Sequence, residues 1–137
     1  MSSTTILALD VGDVRIGVAR ANTVARLAEP LATLQASEAV YNQIAELCEQ
    51  HDVTKVVIGL PRDMQGQETS QTTKVRDFAD KLQPSLKQPI VFQDESLTSV
   101  KAEESLDAQK KGYNKADVDA FAAAYILEDY LATSEGN

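Results

Sequence analysis

The chain predicts an α/β fold: a mixed five-stranded sheet, three antiparallel strands then two parallel ones, flanked by helices. Three observations carry this prediction. Short strand-forming runs follow one another over residues 4–34 with tight links between them. Near residue 37 the hydrophobic spacing changes from alternation to a helical period. Beyond that point apolar strand segments alternate with helical stretches, an order that joins strands in parallel through crossovers.

The elements follow in order. Residues 4–11 read as a first strand and residues 15–21 as a second, joined by the turn "VGDV". Residues 24–34, "VARLAEPLATL", give a third, and Pro30 marks an edge or a break because it cannot donate to a ladder. In "SEAVYNQIAELCEQH", Val40, Ile44, Leu47 and Cys48 form a helical stripe, with Ser37 as its expected N-cap. "KVVIGL", residues 55–60, is a buried strand, and "PRDMQGQETSQ" follows as a polar loop. "TTKVRDFADKL" is a helix with Val75, Phe78, Ala79 and Leu82 on one side. "IVFQDES" is the fifth strand, "TSVKAEESLDAQ" a helix, and residues 116–132 the last helix.

The 137 residues suit one domain, residues 1–137, with no repeat or linker. Hydrophobic residues make up 43% and no apolar run reaches the ~20 residues of a membrane span. The first residues show no secretion signal, and the lone Cys48 excludes an internal disulfide and a cysteine-rich zinc site. A cytoplasmic protein is expected. Thirteen basic against 21 acidic residues leave a net charge of −8, which weighs against a nucleic-acid partner unless bound cations reverse the local sign.

Three acids stand where core residues belong. Alternation puts Ile6, Ala8 and Asp10 on one face of the first strand and Leu7, Leu9 and Val11 on the other. Asp10 therefore ends a core face. Gly17 and Ala19, across the turn, are small enough to leave room beside it for a ligand; a turn-forming Asp would explain the same residue. Glu95 stands at the carboxyl end of the fifth strand, the edge where ligands gather in open α/β sheets, although a solvated strand end explains it equally. Asp119 shares a stripe with Ala122, Ala123, Ile126 and Tyr130. An acid in a first helical turn is favoured by the helix dipole. That does not explain an acid on an apolar stripe, where burial without a partner is costly. If Asp10, Glu95 and Asp119 converge, their hard oxygens suit Mg²⁺ or Mn²⁺. Two such ions about 4 Å apart would activate a water and stabilise the leaving oxygen of a phosphodiester. His51, the only histidine, reads as a residue at a helix end.

These residues resemble the YqgF/RuvX family. The likeness runs nearly the whole length, through "LALDVGDVRIGVA", "VVIGLPRDMQGQETSQTTKVRDFADKL", "QDESLTSVKAEESL" and "ADVDAFAAAYILEDYL". It implies an RNase H-like fold and a nuclease that matures the 5′ end of pre-16S ribosomal RNA during ribosome biogenesis. In some relatives it implies a Holliday junction resolvase acting on branched DNA. Asp10, Glu95 and Asp119 match the family's three acidic positions. Many relatives follow the second acid with Arg, where this chain has Ser96. Arg15, Arg62, Lys101, Lys110 and Lys115 are candidates to meet phosphate in its place, and each is as readily a surface charge. Ser70, with Thr69, is placed either to meet phosphate or to cap the next helix. The loop around Gly66 is a candidate lid over the substrate.

The expected partners are pre-rRNA, ribosomal particles or branched DNA, and no membrane. A monomer would suffice for RNA ends, and a two-fold homodimer would serve a junction. Two rivals stand beside this reading. Actin-like ATPases open with a similar strand-Asp-x-Gly-turn-strand but need two domains around the nucleotide. A non-catalytic RNA-binding module would suit the acidic charge but not the three acids.

Overall fold

The computed structural model describes residues 4–96 and 115–133. Its sheet comprises β1 (Thr5–Val11), β2 (Arg15–Asn22), β3 (Ala28–Gln35), β4 (Val53–Arg62) and β5 (Ile90–Ser96), in the spatial order β3-β2-β1-β4-β5. The pairs β1–β2 and β2–β3 are antiparallel, while β1–β4 and β4–β5 are parallel. This is the mixed sheet expected from the run of strands followed by alternation with helices. The helices among the described residues are α1 (Val40–Gln50), α2 (Ser70–Leu82) and α3 (Lys115–Thr133), with a short 3₁₀ turn at Gln83–Ser85.

Alternation along β1 sorts the core into two layers. Leu7 and Leu9 face α1 and α2 and join Ile44, Cys48, Val75 and Leu82. Ile6 and Ala8 face α3 and join Ala123, Ala124, Ile126 and Leu127. The core side chains of both layers from β1, β2 and β4 are almost wholly buried. Each such large apolar side chain contributes roughly 1.5–3 kcal/mol on burial. No helix among the described residues is long and apolar enough to cross a membrane.

Several boundaries differ from the sequence expectation for local reasons. The third strand begins at Ala28, not at residue 24. The Asn22 side-chain oxygen accepts the amides of Val24 and Ala25, and Arg26 adopts φ 55°, so residues 23–27 turn the chain instead. Pro30 does lie in the edge strand, opposite Ala19, where the β2–β3 register shifts. Helix α1 begins at Val40, and Ser37 is not its cap. Ala39 holds that position without a side-chain bond, while the Ser37 carbonyl accepts the Val40 amide in a preceding turn. At α2 the cap is Thr69, in a reciprocal pair with Thr72: each side chain accepts the other's amide. Ser70 is then the first, exposed residue of that helix. The helix expected over residues 98–109 lies outside the described residues.

The packing of α3 on the sheet depends on Gly17. A Cβ there would stand 1.9 Å from the backbone oxygen of Asp119 and 2.4 Å from its carbonyl carbon. Two backbones can approach this closely only where one has no side chain. At Gly59 an added Cβ would come within 2.5 Å of the Ile126 Cδ1 atom, the end of a side chain and not a backbone atom.

Gly17→Ala is therefore expected to lift α3 and cost about 1–3 kcal/mol. Gly59→Ala should cost less, because a methyl group can turn aside. Urea unfolding of the two variants checks that order, and an equal or reversed loss would contradict it. Cys48 supplies a pH prediction. Burial, helped by the neighbouring Glu49 charge, pushes its thiol up from 9.0 to about 11. The folded chain then keeps a proton that the unfolded chain releases, so stability from this group is intact below pH 9 and declines towards pH 11. Iodoacetamide at pH 8 should label the unfolded chain and spare the folded one, since the thiolate is the reactive form.

Candidate active site

The acid at the end of β1 stands between two positions without side chains. Asp10 pairs with Gly17 across the β1–β2 ladder. On its other side Leu9 pairs with Ile58, so one further step along both strands brings Gly59 alongside Asp10. Strand β5 adds Glu95, opposite Pro61. Its Cγ lies 3.6 Å from where a Cβ on Gly59 would be, which puts Glu95 on the α3 face with Asp10. A cavity of about 160 Å³ opens there, lined by Asp10, Gly59, Pro61, Gln71, Glu95 and Ile126. Two of the three expected acids thus share one cavity at the carboxyl ends of β1 and β5.

Asp119 reaches the same neighbourhood by a different route. Its backbone lies directly over Gly17, the residue that faces Asp10. Gly17 therefore makes room for a helix backbone and not, as its small size suggested, for a ligand. The Asp119 carboxylate is bonded to Arg15, whose Nε donates to Oδ2 at 2.6 Å, with about a quarter of each side chain exposed. Among the described residues, no group of three or more His, Cys, Asp or Glu is gathered closely enough to hold a metal ion.

The expected phosphate contacts fall in different places. Arg15 is on the α3 face, engaged with Asp119. Arg62 binds Asp94 through Nε at 3.1 Å and donates from Nη1 to the Gly66 carbonyl, so it braces the loop after β4. Asp63 ties the same loop from within, since its Oδ1 accepts the amides of Gln65 and Gln67. Gly66 turns at φ 79° and donates its amide to the Asp63 carbonyl. Lys115 begins α3, and Lys101 and Lys110 lie outside the described residues. His51 ends α1, where its Nδ1 accepts from Arg20 Nη1 at 2.7 Å. A guanidinium can only donate, which fixes that direction.

Three cavity residues, Gly59, Pro61 and Gln71, were not among the site residues expected from the sequence. Gly59 carries a readable signal, since alternation puts it on the face of Val57, next to the acid strand. Gln71 carries none. It is one polar residue in a polar stretch, and only the packing of α2 brings it to the cavity mouth, where its amide nitrogen is 3.5 Å from the Val11 carbonyl.

Known proteins agree with this architecture. Residues 4–133 match the model of the RuvX family, described as Holliday junction resolvase. A Chloroflexus aurantiacus protein named "Putative pre-16S rRNA nuclease" is 43% identical, covering 100% of this chain and 92% of its own length. A Roseiflexus protein of the same name is 41% identical over 92% of each chain. Among solved structures, Thermus thermophilus RuvC in complex with a Holliday junction superposes with a TM-score of 0.55 at 12% identity, covering 96% of both chains. The fowlpox virus resolvase with junction DNA gives 0.51 at 11%, covering 93% of this chain and 99% of its own. At such low identity these two show a shared fold. The match over nearly every residue, together with relatives above 40% identity, makes this chain a member of the RuvX family.

Proposed function

We propose that this chain is a metal-dependent endonuclease that hydrolyses phosphodiester bonds, with the 5′ end of pre-16S ribosomal RNA as its substrate. The observation that carries this reading is the cavity shared by Asp10 and Glu95, next to a helix that brings Asp119 onto the strand opposite Asp10. The donors fit Mg²⁺ or Mn²⁺: they are carboxylate oxygens, and Mg²⁺ is commonly bound by one or two carboxylates together with substrate phosphate. Asp10 and Glu95 would hold the cation, and Asp119, engaged with Arg15 in this structure, would become a third ligand only after its side chain turned away from that partner. When bound, one or two such ions supply an activated water and offset charge on the leaving oxygen.

The chain's own residues do the positioning. Asp10 is held by ladder partners on a central strand, so its backbone has little freedom to drift. Gly59 keeps the cavity floor low, and a side chain there would intrude between the two acids. Ile126 walls one side with hydrocarbon, which lowers the local dielectric and strengthens charge interactions inside. Arg15, with Lys101 and Lys110 beyond the described residues, is a candidate to meet the substrate backbone, supplying local positive charge within a chain of net charge −8.

The names of the relatives support RNA. The family description favours a second reading, resolution of four-way DNA junctions, which requires paired cuts and hence a two-fold dimer. Side-by-side cleavage of a pre-16S fragment and a four-way junction, each with Mg²⁺ and Mn²⁺, separates the two. RNA cleavage is expected to dominate. Paired junction cuts without RNA cleavage would reverse the assignment.

Asp10→Asn and Glu95→Gln should each lower the cleavage rate more than about 100-fold, roughly 2.7 kcal/mol of barrier. Chelation should abolish cleavage and added Mn²⁺ should restore it. Activity that survives the double variant would show that another site, or another protein, cuts the RNA. Gly66→Pro tests the loop as a lid. Proline cannot adopt φ 79° or supply the amide given to Asp63. Turnover should fall if the loop closes on substrate, and unchanged turnover rules that role out.

A further inference from the structure

Asp119 is placed between two competitors. Its backbone is fixed over Gly17, so only its side chain can choose a direction. On one side is Asp10, the ladder partner of Gly17. On the other is Arg15, two residues before Gly17 and therefore on the same face of β2. In this structure the carboxylate takes Arg15, at 2.6 Å. The guanidinium is a fixed cation with donors and no acceptor. A divalent ion approaching Asp119 would meet that fixed positive charge at close range, where like charges repel strongly in a partly buried site.

We propose that Arg15 is a built-in counter-ion that competes with the divalent cation for Asp119, and that its release couples cation binding to capture of a phosphodiester. The inference rests on the proposed metal-dependent nuclease reading and adds a positioning role that the family likeness does not supply. Without the cation, Arg15 neutralises an acid that would otherwise repel Asp10 and Glu95. Once the cation takes the carboxylate, the planar fork of Arg15 is free to bond two oxygens of one phosphate, the geometry for which guanidinium is suited. Because binding couplings are reciprocal, substrate that draws Arg15 away must in turn tighten the cation.

A double-mutant cycle on the full chain tests this, reading Mn²⁺ affinity from the electron paramagnetic resonance of the free ion. Arg15→Gln is expected to tighten Mn²⁺ about tenfold, within the usual 5–150-fold range of such couplings. The same change made on Asp119→Asn should alter Mn²⁺ affinity less than about twofold, because the contested carboxylate is gone. Equal tightening in both backgrounds would mean that Arg15 acts only through its field, and no tightening or a loss would mean that it supports the cation. Either result overturns the proposal. Should Arg15→Gln not fold by circular dichroism, Arg15→Lys replaces it. Its less specific ammonium should tighten Mn²⁺ by a smaller factor, and affinity at or below the unchanged chain's overturns the proposal too. If the unchanged chain cleaves RNA with Mn²⁺ while the cycle fails, only the role of Arg15 falls. If the unchanged chain neither binds Mn²⁺ nor cleaves, the nuclease reading itself falls.

Discussion

The approach of α3 to β2 at Gly17 is the constraint on which the rest depends. A helix backbone rests on a strand backbone there, with the space of a single missing methyl between them. This contact fixes where the Asp119 backbone stands relative to Asp10, the β1 ladder partner of Gly17. The small residues of α3 serve the same end. Ala120, Ala123 and Ala124 are all buried, and none holds the helix away from the sheet. Small side chains on both surfaces thus convert packing into the placement of a charged group.

The two core layers have separate tasks. The layer under α1 and α2 is built mainly from large aliphatic side chains. The layer under α3 is thinner and richer in alanine. The acids lie on that thinner side, where the chain keeps partly exposed polar groups close to its interior. A thick core on one face leaves the other free to carry groups that do not favour folding. Net charge points the same way: an acidic chain can serve an acidic substrate when its carboxylates are gathered where cations can join them.

Much of this was legible in the sequence. The sheet order follows from tight early turns and later helical alternation, and the burial of Leu7, Leu9, Ile44 and Leu82 follows from simple spacing. The acids at Asp10 and Glu95 were visible because each ends an apolar strand. What the sequence hid was long-range and chemically quiet. The pairing of Arg15 with Asp119 spans 104 positions and leaves no local pattern. Gly17 looked like space for a ligand because composition does not say which neighbour fills a gap. Ser37 looked like a cap because the residue type is right, yet a turn ahead of the helix took its carbonyl instead. Propensity ranks local options, and tertiary contacts choose among them.

The far end of α3 has a mechanical consequence. Arg26, on the hairpin between β2 and β3, donates to the Leu131 carbonyl, and Lys55 on β4 donates to the Tyr130 hydroxyl. These anchors lie roughly 18 Å along the rod from Asp119, at 1.5 Å per residue. A tilt of about 5° about them would sweep the acid through ~1.6 Å over that length. Two polar tethers far from any chemistry therefore hold one end of α3 while the Gly17 contact holds the other, and the tilt that would misplace the carboxylate is resisted at both.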